Sequence, residues 1–328
     1  MYSTMENNYT EENDTDVIQV PIFLYFMIES SVISLNAIIG ALGNALVFLT
    51  VYSIPSLHTV SNVLLASLSC SDFLSAVIGA PLAIYVNINS GVTFRDTSLK
   101  GDVFYIPLYI SCPVSVWHLF FISLDRYFAI SYPYKYQMHA TIQRVFYFII
   151  LSWVLGIVWG IVPLFGGLEI DEDCLPDVCK TYSKSAHQVY EIMSAVGIFL
   201  TFITIIIIYA RIFYISKKLS NDIRPRPCNL PVSKENKDRA SLINTIKVTA
   251  MVVGGFFLCW SPMFVYMIAQ NKPDNVSLNI LRLCAEIASL CSLSVNPFIY
   301  NFKLKTFRNG FRQTIRKIAR ICKRQQFD

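Results

Sequence analysis

Seven apolar stretches, each long enough to cross a lipid bilayer, constrain the fold of this chain more than any other feature. They lie at residues 29–52, 60–86, 103–130, 145–165, 189–215, 243–269 and 279–301. A membrane-spanning helix needs about 20 mostly apolar residues. The alternation of polar and apolar residues that is typical of a membrane β-barrel is absent from these stretches. We therefore predict an all-α membrane protein, built as a seven-transmembrane helix bundle.

The composition excludes an ordinary soluble protein. Of the 328 residues, 54% are apolar and only 15% are charged, and the mean hydropathy is +0.48. A soluble protein of this size needs more charge to cover its surface. We expect an extracellular N-terminal tail at 1–28, a seven-transmembrane domain at 29–302, and a cytoplasmic amphipathic helix and tail at 303–328.

The distribution of basic residues predicts the orientation of the chain in the membrane. The connections at 131–144 and 216–241 are basic, whereas the connection at 166–188 carries more acidic than basic residues. Because Lys and Arg are enriched in cytoplasmic loops, we expect a multi-pass plasma-membrane protein with an extracellular N-terminus and a cytoplasmic C-terminus. The glycosylation sequons agree, since all of them fall outside: Asn8, Asn13 and Asn275.

The segment after the seventh stretch combines an apolar stripe with many basic residues. The stripe recurs every three or four residues, as on one face of a helix: Phe307, Phe311, Ile315, Ile318 and Cys322. Such a helix is expected to lie along the inner leaflet and to contact membrane lipid. The alternative is a solvated basic tail, which would not need the stripe. Cys322 is a candidate palmitoylation site, and the position next to a span argues against a nucleic-acid partner.

Asp72 is a carboxylate in the middle of the second apolar stretch, with no basic residue near it in the sequence. A charge at this depth is costly, so it marks a candidate functional site. It needs a cation, a proton or polar partners from other helices, and the candidates are Asn44, Ser111, Ser115, Ser292 and Asn296. The alternative is a protonated carboxyl group that only joins helices.

Two further features lie near the ends or kinks of helices. Asp125, Arg126 and Tyr127 end the third stretch, where the pair of charges is either an interface anchor or a latch in which Asp125 holds the arginine. Pro262 and Pro297 interrupt the sixth and seventh stretches and should bend them. Trp260 and Asn296 lie beside these two prolines, so the kinks are candidate hinges.

Taken in order, these motifs resemble those of the rhodopsin-like (class A) G-protein-coupled receptors, over residues 28–320. The matching elements are Gly43-Asn44, Leu68 with Asp72, Asp125-Arg126-Tyr127, Trp153, Tyr209, Phe256, Cys259-Trp260-Ser261-Pro262, Asn296-Pro297-Phe298-Ile299-Tyr300 and Phe307-Arg308. The resemblance implies a receptor that transmits an extracellular ligand signal to a heterotrimeric G protein by helix rearrangement. The alternative is a membrane transporter or an ion-conducting protein. Enzyme motifs with His or Ser are absent, so we expect no enzymatic activity.

The resemblance also implies roles for individual residues. Arg126 would contact the G protein, Trp260 would lie beneath the ligand, and Tyr209 and Tyr300 would rearrange on activation. An allosteric sodium ion would be held by Asp72, Ser115, Ser292 and Asn296. An unknown small ligand would contact Leu108, Tyr109, Cys112, Trp260, Met263, Phe264 and Glu286. Glu286 is either the counter-ion of a cationic ligand or the partner of Arg282, one helical turn away.

Three departures from the family pattern limit these expectations. Gly101 replaces a cysteine of the usual extracellular disulfide, so Cys174 and Cys179 would pair with each other or remain free thiols. Leu108 stands where amine receptors of the family carry an aspartate. Leu290 stands where opsins carry the lysine that binds retinal. We therefore expect no retinal cofactor.

Overall fold

A computed structural model describes residues 22–89, 99–165, 168–170, 180–182, 184–221, 234–269 and 276–325. Within these residues, seven helices are long and apolar enough to cross a membrane. These seven spans are Met27–Ser53, Val60–Val86, Phe104–Ser131, Ile142–Phe165, Val189–Lys218, Ile243–Ala269 and Ile280–Lys303. The predicted seven-helix bundle is confirmed, and the spans begin and end within a few residues of the apolar stretches.

The helices and strands follow one another in a simple order. The α-helices are α1 (Ile22–Ser53), α2 (Val60–Leu74), α3 (Ala80–Asn89), α4 (Leu99–Ser131), α5 (Pro133–His139), α6 (Ile142–Ile161), α7 (Lys184–Asn221), α8 (Lys234–Ala269), α9 (Val276–Lys303) and α10 (Lys305–Gln325). Short 3₁₀ turns lie at Pro55–Leu57 and Val162–Phe165, and a π-helical turn at Ser75–Gly79 joins α2 to α3. Two strands, β1 (Leu168–Ile170) and β2 (Lys180–Tyr182), form an antiparallel pair.

Local sequence signals fix where several helices begin. The hydroxyl groups of Thr59 and Thr141 accept hydrogen bonds from backbone N–H groups in the first turns of α2 and α6. These caps satisfy donors that have no partner within the helix. Pro133 occupies the first turn of α5, where its missing N–H costs nothing. These three signals therefore define the first residues of α2, α5 and α6.

Glycines allow close contacts between the spans. A Cβ atom on Gly160 would lie 2.7 Å from the backbone nitrogen of Ile110, and one on Gly156 would lie 2.2 Å from Cγ2 of Val114. The third and fourth spans therefore pack backbone to backbone, as small residues permit in membrane helices. Gly43 likewise lets the first span approach Pro297 of the seventh, to which its Cβ would lie at 2.9 Å.

The amphipathic helix α10 divides its apolar stripe between two environments. Phe307 and Phe311 are buried, and Phe307 packs on Tyr300 of the seventh span at 5.6 Å between ring centroids. Ile315 and Ile318 are exposed. The predicted stripe is therefore partly a protein contact, and its later residues alone face the surroundings. A hydrogen bond of 3.2 Å between the hydroxyl groups of Thr50 and Thr314 also ties α10 to the first span.

Candidate functional site

Asp72 lies in a polar cluster that joins three spans. Its carboxylate is buried and accepts a hydrogen bond of 3.1 Å from the Ser115 hydroxyl group of the third span. It accepts a second, of 2.9 Å, from the Asn296 amide of the seventh span. The π-helical turn Ser75–Gly79 begins three residues after Asp72, and such turns are frequent at functional sites. Two of the five expected partners thus bond to this carboxylate.

The other three candidate partners of Asp72 bond to backbone carbonyl groups instead. Asn44 donates to Leu293 at 2.6 Å, while Ser111 and Ser292 each donate to a carbonyl three residues earlier in their own helices. No basic side chain among the described residues contacts the carboxylate. The oxygen atoms of Asp72 and of its two partners, Ser115 and Asn296, are hard ligands that suit an alkali or alkaline-earth cation. This set of residues therefore fits a small cation.

Side chains replace the hydrogen bonds that the two prolines remove. Pro297 has no N–H, which leaves the Leu293 carbonyl without its helical donor; the Asn44 amide of the first span donates to that carbonyl. In the sixth span, Pro262 leaves the Leu258 carbonyl free in the same way, and Ser261 donates to it at 2.9 Å. At each proline, the freed carbonyl group therefore has a side-chain donor. At Pro262 the donor comes from the same helix, and at Pro297 it comes from the first span.

Asp125 is the centre of a closed cluster at the end of the third span. Arg126 donates to its Oδ2 through Nε at 3.0 Å and through Nη2. The Ser61 hydroxyl group of the second span donates to the same oxygen at 2.5 Å, and the Tyr136 hydroxyl group of α5 donates to Oδ1 at 2.6 Å. Both members of the ion pair are almost completely buried. The geometry is that of a latch, in which Asp125 holds the arginine.

Tyr136 stays protonated, and so remains a donor, throughout the physiological range. Burial raises the pKa of this phenol above its usual value, and the neighbouring charge of Asp125 raises it further. A group whose pKa lies above that of free tyrosine keeps its proton at neutral pH. The phenol therefore keeps the proton that it donates to Asp125 at neutral pH.

Tyr209 and Tyr300, which are expected to rearrange on activation, and Trp260, which is expected beneath the ligand, each bury a polar atom with unused hydrogen-bonding capacity. Among the described residues, the Tyr209 and Tyr300 hydroxyl groups and the Trp260 indole N–H have no well-formed hydrogen bond, although Tyr209 lies close to Ser123 and Thr249. Trp260 stacks on Phe256 at 5.7 Å. Tyr127 instead packs beside the apolar cluster between the third, fifth and sixth spans. Buried donors without partners are costly, so these three groups gain from any arrangement that pairs them.

The expected ligand residues lie on the third, sixth and seventh spans, and several of them meet aromatic side chains. Tyr109 packs on Tyr190 at 5.9 Å, and Phe264 packs on Phe199 at 6.5 Å. Glu286 accepts a hydrogen bond of 2.7 Å from Nε of Arg282, and both side chains are partly exposed. The remaining members are partly buried: Leu108, Cys112, Trp260 and Met263. Leu108 fills the space left by Gly79 of the π-helical turn, and Cys112 is a free thiol.

Several predicted sites lie outside the described residues. They are Cys174 and Cys179, the sequon residues Asn8, Asn13 and Asn275, and the side chain of Cys322. The two paired strands, in which Ile170 lies opposite Lys180, flank the sequence segment that contains both cysteines.

Four further residues, which are not among the predicted site residues, make polar contacts in the structure. Ser61 and Tyr136 hold Asp125. His118 is fully buried and contacts Ser67, to which Trp153 also donates. Glu29 is a buried carboxylate in the first span, and the rule that selected Asp72 would have found it.

A bundle of seven spans with a buried polar core and an acid–arginine latch at one end defines a seven-helix membrane receptor. The family of seven-transmembrane receptors of the rhodopsin type matches residues 43–300. The chain belongs to this family. It is a G-protein-coupled receptor and a multi-pass plasma-membrane protein, it is not an enzyme, and the transporter alternative is not favoured. Its partners are a G protein and a small-molecule ligand.

The relatives that it resembles are receptors whose names refer to amines. It is 26% identical to octopamine receptor beta-2R of Chilo suppressalis, over 96% of this chain and 87% of that protein. It is 27% identical to trace amine-associated receptor 4 of Rattus norvegicus, over 84% of this chain and 81% of that protein. The human alpha-1A adrenergic receptor is 26% identical, over 87% of this chain and 67% of that receptor.

Proposed function

We propose that this receptor exposes its N-terminus outside the cell and couples to the G protein through Arg126. The observation that carries the proposal is the closed cluster in which Asp125 holds that arginine together with Ser61 and Tyr136. An arginine that is held by a buried carboxylate in this way becomes available when the cluster opens. Tyr209, Tyr300 and Trp260 would contribute to the opening, since their buried donors lack partners among the described residues in the closed arrangement.

The test of coupling is Arg126→Ala, measured as nucleotide exchange on an added G protein. We expect exchange to be lost while surface expression persists. Arg144→Ala is the matched control, because Arg144 is an exposed arginine near the same end of the bundle that donates to the His139 carbonyl. Normal coupling by the Arg126 variant, or an equal loss in both variants, would contradict the assignment.

The ligand that we propose is a small amine with Glu286 as its counter-ion. We compare the charged side chains that are described in the half of the bundle near the proposed extracellular side. They include three acidic residues, Glu29, Glu191 and Glu286, and one basic residue, Arg282. The loop at 169–177 adds acidic residues in the sequence. Such a field concentrates cations, and aromatic residues beside Tyr109 and Phe264 suit an organic cation. The amine-receptor relatives agree with this choice, although Leu108 cannot supply their aspartate.

Variants that replace a charged side chain by glutamine distinguish the two roles of Glu286, as the counter-ion of a ligand or as the partner of Arg282. If the carboxylate binds a cationic agonist, Glu286→Gln should weaken the affinity by about 1.5–3 kcal/mol, measured by competition binding. Arg282→Gln removes the same ion pair from the other side and is the control, which should retain or improve affinity. Equal losses in the two variants would mean that the pair only braces the helix, and that the ligand is neutral.

We further propose a sodium ion at Asp72, coordinated with Ser115, Ser292 and Asn296, and no retinal. The buried carboxylate and its hydroxyl and amide neighbours support this assignment. The ion would supply the positive charge that the buried carboxylate lacks. Retinal has no lysine to bind, since Leu290 replaces it.

The remaining proposals concern covalent modifications. We propose a Cys174–Cys179 disulfide, N-glycans at Asn8, Asn13 and Asn275, and a palmitoyl group on Cys322. The free thiol of Cys112 and the paired strands that flank both loop cysteines support the local disulfide. Peptide mapping under non-reducing conditions decides between a disulfide and two free thiols. The same digest reports the glycans and the acyl group by mass.

A further inference from the structure

A crevice of about 340 Å³ lies between the first span, the seventh span and α10. Its walls are apolar and come from Ile39 and Leu46 on one side and from Pro297 and Phe298 on the other. At Gly43 the two spans approach so closely that a Cβ would lie 2.9 Å from the proline ring. The absence of a side chain there leaves room between the neighbouring wall residues. The volume is in the range of small ligand pockets, about 300–1,000 Å³.

Two arginines of α10 and the polar residue Asn301 also line this mostly apolar crevice. Arg308 is half-buried and Arg312 is exposed. Because they are four residues apart, they lie on the same face of the helix. Within the part of the chain that the structure describes, neither guanidinium group forms a hydrogen bond or an ion pair. The site therefore combines apolar walls with two positive charges that have no partner there.

The surroundings of the crevice indicate where it lies in the bilayer. Phe298 and Ile315, which also line it, are about half exposed on a chain that crosses a membrane. The helix α10 begins two residues after the seventh span ends, which puts its arginines at the level where acyl chains meet headgroups. The chain from Lys303 onward carries nine basic residues and a single acid, Asp328.

We propose that the crevice binds one anionic phospholipid, with an acyl chain along the walls and the phosphate on Arg308 and Arg312. The charge of the site selects the headgroup, because basic pockets beside membrane helices attract anionic lipids. The apolar walls select a lipid over a soluble phosphate. The assignment to the cytoplasmic leaflet rests on the orientation proposed above. The binding itself does not, so it can be tested without a ligand or a G protein.

The experiment titrates phosphatidylserine into the full-length receptor in a non-ionic detergent and counts bound lipid by native mass spectrometry. We expect one saturable lipid and much weaker binding of phosphatidylcholine. The double variant Arg308→Gln, Arg312→Gln should weaken phosphatidylserine binding about thirty-fold, which corresponds to about 1 kcal/mol for each basic residue. Excess glycerophosphoserine, which has the headgroup without acyl chains, should not displace the lipid.

Two control variants make the result specific. Arg316→Gln with Arg320→Gln removes the same charge from exposed positions of the same helix that do not line the crevice, and binding should be unchanged within about threefold. Arg308→Lys with Arg312→Lys keeps the charge and should retain binding. An equal loss in the two glutamine pairs, or equal affinity for phosphatidylcholine, would overturn the proposal in favour of general attraction to the basic helix.

Discussion

Tyr136→Phe removes one hydrogen bond from the latch while keeping the size of the ring. The bond joins the phenol to Oδ1 of Asp125 at 2.6 Å, and its acceptor is a carboxylate that is 9% exposed. A hydrogen bond to a charged group contributes about 1.5–3 kcal/mol. Because α5 lies at the surface and solvent reaches part of the cluster, the lower value applies.

A loss of about 1.5 kcal/mol raises the ratio of open to closed receptors roughly tenfold. If the open state is a minor one, at about 0.1–10% of molecules, basal signalling should rise in nearly the same proportion. The assay is nucleotide exchange on a purified G protein with the receptor in lipid nanodiscs and no agonist present. The rise should be the same at pH 6 and pH 8, because the raised pKa of Tyr136 keeps its proton in place.

Tyr134→Phe is the matched control, since Tyr134 lies in the same short helix and is 77% exposed. It should leave basal exchange unchanged. Ser61→Ala should act in the same direction as Tyr136→Phe. The double variant should be less than additive, because both donors stabilise one carboxylate. Unchanged basal exchange in Tyr136→Phe would show that this bond does not stabilise the closed state over the open one. An equal change in Tyr134→Phe would show that the effect does not come from the bond to Asp125.

Two further predictions concern the core of the bundle. Asp72→Asn should abolish the fall in agonist affinity that occurs when sodium replaces a large organic cation at constant ionic strength, because sodium and agonist oppose each other reciprocally; an equal sodium effect in both proteins would leave Asp72 with a structural role alone. Gly160→Ala should lower the free energy of unfolding of the purified receptor by about 1–3 kcal/mol, measured by thermal unfolding, since its Cβ would overlap the backbone of Ile110. Gly254→Ala, whose Cβ meets nothing within 4 Å, should be neutral or slightly stabilising, and a similar loss there would contradict the packing argument.

The architecture was predictable because membrane spans depend on length and apolarity, which the sequence displays directly. The stretch 60–86, for example, is the second span, Val60–Val86, without any adjustment. The π-helical turn inside this span was not predictable from the sequence, and neither was the close approach of Gly79, its last residue, to Leu108 of the third span. Contacts of this kind arise only after the helices have packed.

The polar partners were harder to predict than the charges that they serve. Asp72 and Asp125 stand out in the sequence because charge is rare in spans. Which hydroxyl group reaches them depends on helix rotation and separation, so Ser115 bonds to Asp72 while Ser111, one turn away, bonds to its own helix. Tyr136 lies in α5, the short helix that begins at Pro133. No sequence motif indicates that this helix brings the Tyr136 hydroxyl group to Asp125.

The hydrogen bond from Asn44 to the Leu293 carbonyl makes the kink of the seventh span a joint property of two helices. Any rotation of the part of the seventh span before Pro297, which contains Leu293, must either carry the first span with it or break this bond. A spectroscopic label on the first span would therefore report movement of the seventh, even though the first span keeps its own shape. Up to Pro297 the two helices therefore form one mechanical unit, and any bend at this proline displaces the later part of the seventh span relative to both of them.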